Sequence, residues 1–198
     1  MNAHRYDLMY HVEDSHWWYR GMEAITRAVI ERAISNRRGL RILDAGCGTG
    51  AVMNYLADYG TVTGCDHSAE ALHYSALRRH ARLCRASVAA LPFADASFDT
   101  AVCTFGLCAI PNIDTALDEM TRVLRPGGKL ILVDHVASSS RIARGIQRAI
   151  EVITVPMASE HFLRRPLTKV KQLPFEIERA ERFKLGLVER IVARKLEH

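Results

Sequence analysis

The chain has 198 residues, 48% of them hydrophobic and 25% charged, with a net charge of +5. That suffices for one domain with an ordinary core and, without low-complexity runs or repeats, excludes a disordered chain, a solenoid and a multi-module protein. No apolar run approaches the ~18 residues of a membrane span, and His4, Arg5 and Asp7 stand where a secretion signal needs an apolar core, so a cytoplasmic location is expected.

In chain order, residues 1–36 read as helical and crowd both tryptophans into His16-Trp17-Trp18-Tyr19-Arg20. Helical spacing puts His16, Tyr19, Arg20 and Glu23 along one side, with Trp17 and Ile25 on another. Short apolar or β-branched runs follow at residues 40–44, 61–66, 98–104 and 129–134. Helical stretches at 49–59, 68–80 and 112–124 alternate with them, each opened by a residue that can cap orphan N–H groups: Thr49, Ser68 or Asn112. This alternation predicts βα units and a mostly parallel sheet buried on both faces. Pro126-Gly127-Gly128 stops the last of these helices.

Residues 137–173 carry Arg141, Arg144 and Arg148 on one side of a helical pattern, with Arg164, Arg165, Lys169 and Lys171 nearby. Two final runs, 175–183 and 187–194, are joined by Lys184-Leu185-Gly186, too short for a crossover, so they pair antiparallel. Leu196-Glu197-His198 reads as the stub of an expression tag, leaving 1–195 as a single domain. Cys47, Cys65, Cys84, Cys103 and Cys108 are odd in number and without a C-x-x-C pair, so reduced structural thiols are expected, and no metal site.

The chemistry concentrates in Leu43-Asp44-Ala45-Gly46-Cys47-Gly48-Thr49-Gly50, where a buried strand turns into a helix through three alternate glycines with a carboxylate at the strand's end. Such a loop admits positive φ and close approach of a ligand, and the following helix points its partly positive N-terminus at the same spot. Gly46-x-Gly48-x-x-Ala51 also fits the dinucleotide fingerprint, with Asp66 about twenty residues on where a ribose-binding acid belongs. The glycines alone leave both nucleotide types open.

Three further segments shift the balance: Asp66 at the end of its strand, residues 91–99 (Leu-Pro-Phe-Ala-Asp-Ala-Ser-Phe-Asp) and residues 122–130 (Arg-Val-Leu-Arg-Pro-Gly-Gly-Lys-Leu). In that order and spacing the chain resembles the class I S-adenosylmethionine-dependent methyltransferases, in their small single-domain branch, most strongly over residues 41–133. The resemblance implies an α/β, doubly wound, Rossmann-like sheet of seven strands in the order 3-2-1-4-5-7-6, with a C-terminal antiparallel hairpin and an N-terminal helical lid. It implies S-adenosyl-L-methionine as cofactor: Asp66 on the ribose hydroxyls, His67 on the adenine face, and Asp44, Gly46, Cys47, Gly48 and Gly50 around the methionine end, with loop N–H groups facing its carboxylate. Thr104 and Phe105 form the pocket floor, and Tyr19 with the tryptophans a wall. One departure stands out: where the branch reads Asp-Ala-Glu, this chain has Ser87-Val88-Ala89, so a hydroxyl replaces the acid that meets the adenine amino group.

Methyl transfer needs alignment and, for some acceptors, a base; His16, Tyr19 and His135 are the candidates. A small-molecule acceptor is expected at the 137–173 side. Its basic residues are a solvated face by default; the sharper readings are weak contact with an anionic membrane to reach a lipid or quinone, or attraction of an anionic small molecule. Nucleic acid is not expected, and the protein is expected as a monomer or homodimer. Two other classes stay open: a catalytically silent cofactor-binding protein, kept alive by Ser87, and an NAD(P)-dependent oxidoreductase, which lacks any Tyr-x-x-x-Lys pair here.

Overall fold

The computed structural model describes residues 3–34, 36–138, 164–183 and 186–197. Two helices, α1 (Ala3–Val12) and α2 (Trp17–Ile34), precede an alternation of β1 (Leu40–Ala45), α3 (Ala51–Leu56), β2 (Gly60–Asp66), α4 (Ala69–Leu77) and β3 (Leu83–Arg85). Then come β4 (Phe98–Thr104), a 3-10 turn (Leu107–Ala109), α5 (Ile113–Val123), β5 (Leu124–His135), α6 (Pro166–Val170), β6 (Phe175–Phe183) and β7 (Val188–Lys195). The seven strands form one sheet in the order β3-β2-β1-β4-β5-β7-β6. The first five run parallel, and β7 inserts antiparallel between β5 and β6. This is the order and hairpin expected from the sequence.

The central strands β1, β4 and β5 are largely buried on both sides because both faces are covered. Along β1, Ile42 enters a core with Val29, Ile30, Leu56 and Val192, whereas Leu43 enters the opposite core with Leu117, Met120 and Leu132. Strand side chains alternate with a period of two, so adjacent apolar residues serve both layers.

Helix starts follow cap chemistry in two of three cases. Ser68 accepts from Ala71 N at 3.2 Å and Asn112 from Thr115 N at 3.1 Å. The predicted helix at 49–59 contracts to Ala51–Leu56, with Gly50 at its N-cap in the left-handed region and no side-chain cap. Thr49 does not cap it because it stands one residue before the N-cap position. Pro126-Gly127-Gly128 lies inside β5, whose pairing with β4 shifts register between Phe98 and Thr100. The basic residues Arg141, Arg144 and Arg148 lie outside the described residues. No helix among the described residues is long and apolar enough to cross a membrane.

Candidate functional site

The carboxyl ends of β1, β2 and β4 open into a cavity of about 620 Å³, within the range of small-molecule sites. Its floor comes from Gly46, Cys47, Gly48 and Thr49, one end from Asp66, His67, Ser87 and Val88, and the other from Thr104, Phe105 and Gly106. Sites of this kind form where strand order reverses, which here lies between β1 and β4.

Gly46, Gly48 and Gly50 have φ of 78°, 54° and 82°, a left-handed geometry that brings the chain back under the cavity. The loop differs in one respect from the expectation that its N–H groups face a ligand. Gly46 and Cys47 donate to Cys65 O at 2.7 and 3.1 Å, and Gly50 donates to Cys47 O at 2.9 Å. Gly48 N donates to Asp66 Oδ2 at 3.0 Å. These amides hold the loop's shape; the absence of side chains, rather than free donors, is what the glycines bring to the cavity.

Asp66 is held from both sides, since Oδ1 accepts from Ser68 N at 2.9 Å. It does not cap α4, a role Ser68 takes. Each carboxylate oxygen retains a second lone pair, so Asp66 is oriented yet still able to accept from two hydroxyls. His67 is largely exposed, its Nδ1 3.7 Å from Asp66 Oδ1. Ser87 Oγ accepts from Ala89 N at 3.2 Å, shaping the turn that also buries Val88.

Asp44, at the end of β1, is only 1% exposed, and neither carboxylate oxygen has a partner. Burial, and then the charge of Asp66, pushes its pKa up to about 7. A buried carboxylate without a donor is costly, and that cost disappears when a cation meets it. Burial likewise pushes the Cys47 thiol up, so it is a packing group, and all five cysteines are free thiols.

The lid is built differently from the expectation. α1 lies over the glycine loop, with Tyr6 and Met9 lining the cavity. Glu13 fastens it, accepting from Thr49 Oγ1 at 2.6 Å and from Arg78 at 2.7 Å. Asp7 accepts from Tyr74 at 2.8 Å, and the Arg78 guanidinium sits 5.0 Å from the Tyr10 ring centre. Burial, then the Asp66 charge, pushes the Tyr6 hydroxyl up to about 12. The reading of 1–36 as helical covers α1, but periodicity did not mark which side of it meets the loop, because its apolar residues make no stripe. The one available signal was Glu13-Asp14, two acids beside a helix in a basic chain.

Of the aromatic wall only Tyr19 lines the cavity. Trp17 is 73% exposed, which overturns its expected place in the lid, and Trp18 stacks on His135 with ring centres 6.4 Å apart. Among the candidate bases, His16 is exposed and does not line the cavity, because α2 turns it outward with Trp17. His135 packs its ring 5.1 Å from Phe105 behind the cavity wall. Burial and the Glu13 charge raise the Tyr19 pKa, which makes its phenolate harder to form. Phe105 itself has φ of 51°, rare for a residue with a side chain, and its N–H donates to Val133 O at 2.7 Å. Arg164 is a brace rather than a solvated charge: it donates to the carbonyls of Leu107, Ile110 and Pro111, and the last two residues line the cavity rim.

Residues 43–132 match the model of a methyltransferase domain. A demethylmenaquinone methyltransferase of Beutenbergia cavernae is 37% identical over 134 residues, 67% of this chain and 54% of that protein. The 2-phytyl-1,4-naphtoquinone methyltransferase of Synechocystis sp. is 31% identical over 152 residues, 71% of this chain and 64% of its own. The crystal structure of a SAM-dependent methyltransferase from Methanosarcina mazei superposes with a TM-score of 0.70 at 24% identity, over 86% of this chain and 98% of that one. The chain belongs to the class I S-adenosylmethionine-dependent methyltransferases. It spans between about half and two thirds of the length of these two quinone-named relatives. The family's cofactor is S-adenosylmethionine, and the residues fit it: a buried carboxylate without a partner suits an ammonium group, and an oriented acid at the end of β2 suits a ribose.

Proposed function

We propose that the protein transfers a methyl group from S-adenosylmethionine to a small-molecule acceptor. The observation that carries this reading is Asp44, a buried carboxylate without a protein partner at the end of β1, behind the residues that line the cavity and two residues before the glycine-rich loop that closes under it. In this reading Asp66 receives the ribose hydroxyls, with His67, Ser87 and Val88 at the adenine end. Asp44, Gly46, Cys47, Gly48 and Gly50 surround the methionine end, Thr104 and Phe105 lie beneath it, and Tyr19 stands against the sulfonium. The cofactor, when bound, supplies a methyl group on a cationic sulfur whose departure needs no acid.

What the protein adds is position and dryness. α1 and Glu13 cover the glycine loop, Tyr6 and Met9 exclude water, and Arg164 fixes the 107–111 turn at the rim. Of the three candidate bases only Tyr19 reaches the cavity among the described residues, and its raised pKa keeps it protonated at neutral pH. Alignment, not proton abstraction by these residues, is therefore the source of rate.

The acceptor we favour is a neutral ring compound of the quinone type. Met9, Met22, Phe105, Ala109, Ile110 and Pro111 give the cavity an apolar side, and two relatives carry quinone substrates in their names. Access from a membrane surface and a cytoplasmic location belong to the same proposal; the free thiols support the latter.

Calorimetric titration with S-adenosylmethionine, its demethylated product and NADH, repeated on Asp66→Ala, tests the cofactor; an acceptor screen with quinones in liposomes tests the rest. Micromolar binding of the first two, lost in the variant, is expected. Binding of NADH alone, or of nothing, refutes the reading. Tight cofactor binding with no turnover of any acceptor class would favour the silent binding protein.

A further inference from the structure

Cys65 on β2 and Cys84 on β3 are register partners in neighbouring parallel strands, and both are free thiols. Neighbouring strands lie about 4.7–4.9 Å apart and register partners project from the same face, so the two Cα atoms fall within the about 4.4–6.8 Å that a disulfide spans. Among the described residues no other cysteine has a cysteine for a strand partner: Cys103 pairs with Leu132, and Cys47 and Cys108 lie outside the strands. Cys65 is fully buried and donates its S–H to Ala86 O at 3.6 Å, whereas Cys84 is half-buried on β3, an edge strand. Burial, then the neighbouring Cys84 thiol, pushes the Cys65 thiol up to about 12. An oxidant from solution therefore meets Cys84 first.

Each cysteine leads directly into the candidate site. Cys65 O accepts from the Gly46 and Cys47 amides, and Asp66 follows it in the chain. After Cys84, Arg85 Nε donates to His67 O at 3.3 Å, Ala86 N donates to Asp66 O at 3.1 Å, and Ser87 and Val88 line the cavity. We infer that Cys65 and Cys84 form a reversible cross-strand disulfide when hydrogen peroxide reaches this edge of the sheet, and that the bond lowers affinity for the cofactor. The peroxide oxidises the Cys84 thiol to a sulfenic acid and is itself reduced, releasing one water. The Cys65 sulfur then displaces the sulfenic oxygen, which leaves with the Cys65 proton as a second water while the S–S bond forms. That bond draws the two Cβ atoms to about 3.5–4.5 Å, nearer than the strand spacing. Asp66 and the 85–88 segment, which follow the two cysteines, shift against each other as it closes. The effect on the cofactor rests on the methyltransferase reading above; the bond itself does not.

The test is peptide mass mapping of the full chain after limiting hydrogen peroxide, with calorimetric titration of S-adenosylmethionine before oxidation, after it and after dithiothreitol. The oxidised wild type is expected to yield one bridge, joining the peptides of Cys65 and Cys84, and to bind about tenfold more weakly, the effect of misaligning a hydrogen bond to a charged acid. Dithiothreitol should restore the affinity, which separates the thiols from methionine oxidation, since a sulfoxide persists in that reductant. Cys84→Ser should bind like the reduced wild type and keep its affinity through the peroxide treatment. Unbridged peptides, or a bridge between another pair, would overturn the inference whether or not the variant folds. A 65–84 bridge with unchanged affinity, or a Cys84→Ser chain that loses affinity reversibly as the wild type does, would overturn the effect on the cofactor. Reduced wild type that binds no cofactor would instead refute the methyltransferase reading, with the mapping still deciding the bond.

Discussion

Arg78→Leu should loosen the lid and leave the sheet intact. Arg78 and Glu13 are 10% and 7% exposed at their side chains and meet at 2.7 Å, so they form a buried pair. Removing one partner of such a pair costs about 3–5 kcal/mol, because the other charge stays buried alone. Here the lower end applies: the Thr49 hydroxyl remains on Glu13, and burial already raises the Glu13 pKa, so it can take a proton instead. Glu13 and Arg78 tie the N-terminal segment to α4 and the glycine loop, so the loss falls on opening of that segment. About 3 kcal/mol corresponds to a rise of roughly 100-fold in its open population. Native-state hydrogen exchange of the amides in 5–13 should accelerate by that factor, while those of β1 and β4 should not. The double variant Glu13→Gln/Arg78→Leu should recover part of the loss, since no buried charge is left unpaired: Asp14, the other partner of Arg78 at 3.2 Å, is 69% exposed. Unchanged exchange in α1, or equal acceleration in the sheet, would refute the latch.

Asp44→Asn should abolish cofactor binding yet stabilise the free protein at pH 8. Its folded pKa of about 7 lies above the unfolded value, so wild-type stability is lost as pH rises from about 4 to 7, by at most about 4 kcal/mol. Melting curves at pH 5 and 8 check the sign, and wild-type cofactor affinity should fall below about pH 7 as Asp44 takes a proton. Gly50→Ala should destabilise by about 2–3 kcal/mol or more, read from urea unfolding, because an added Cβ would lie 2.4 Å from Ser75 Oγ and 2.7 Å from His80 at a φ of 82°. Trp17→Ala should change unfolding free energy by no more than about 0.5 kcal/mol and leave cofactor affinity alone, since the ring is exposed; a large loss of affinity would restore it to the lid.

The legible parts of this protein were those whose physics is local. Alternate glycines set the loop, Ser68 and Asn112 start their helices, and a three-residue connection forces β6 and β7 into a hairpin, each within a few residues of chain. The presence of Asp44 and Asp66 at strand ends follows from the same reading. What only the tertiary structure decided are the pairings across long stretches: Glu13 with Arg78, 65 residues away, which makes α1 the lid, and Arg164 with the 107–111 carbonyls. The tryptophans misled because helical spacing gives the relative angle of two side chains but not which face the core takes, and α2 turns Trp17 to solvent. The glycine loop misled in the same way: its sequence allows free amides, and Cys65, Asp66 and the loop's own Cys47 carbonyl take those of its three glycines. Local sequence determined which backbone shapes could form here, whereas burial determined which polar groups were left for a ligand, because satisfaction of a donor or acceptor is a property of everything packed around it.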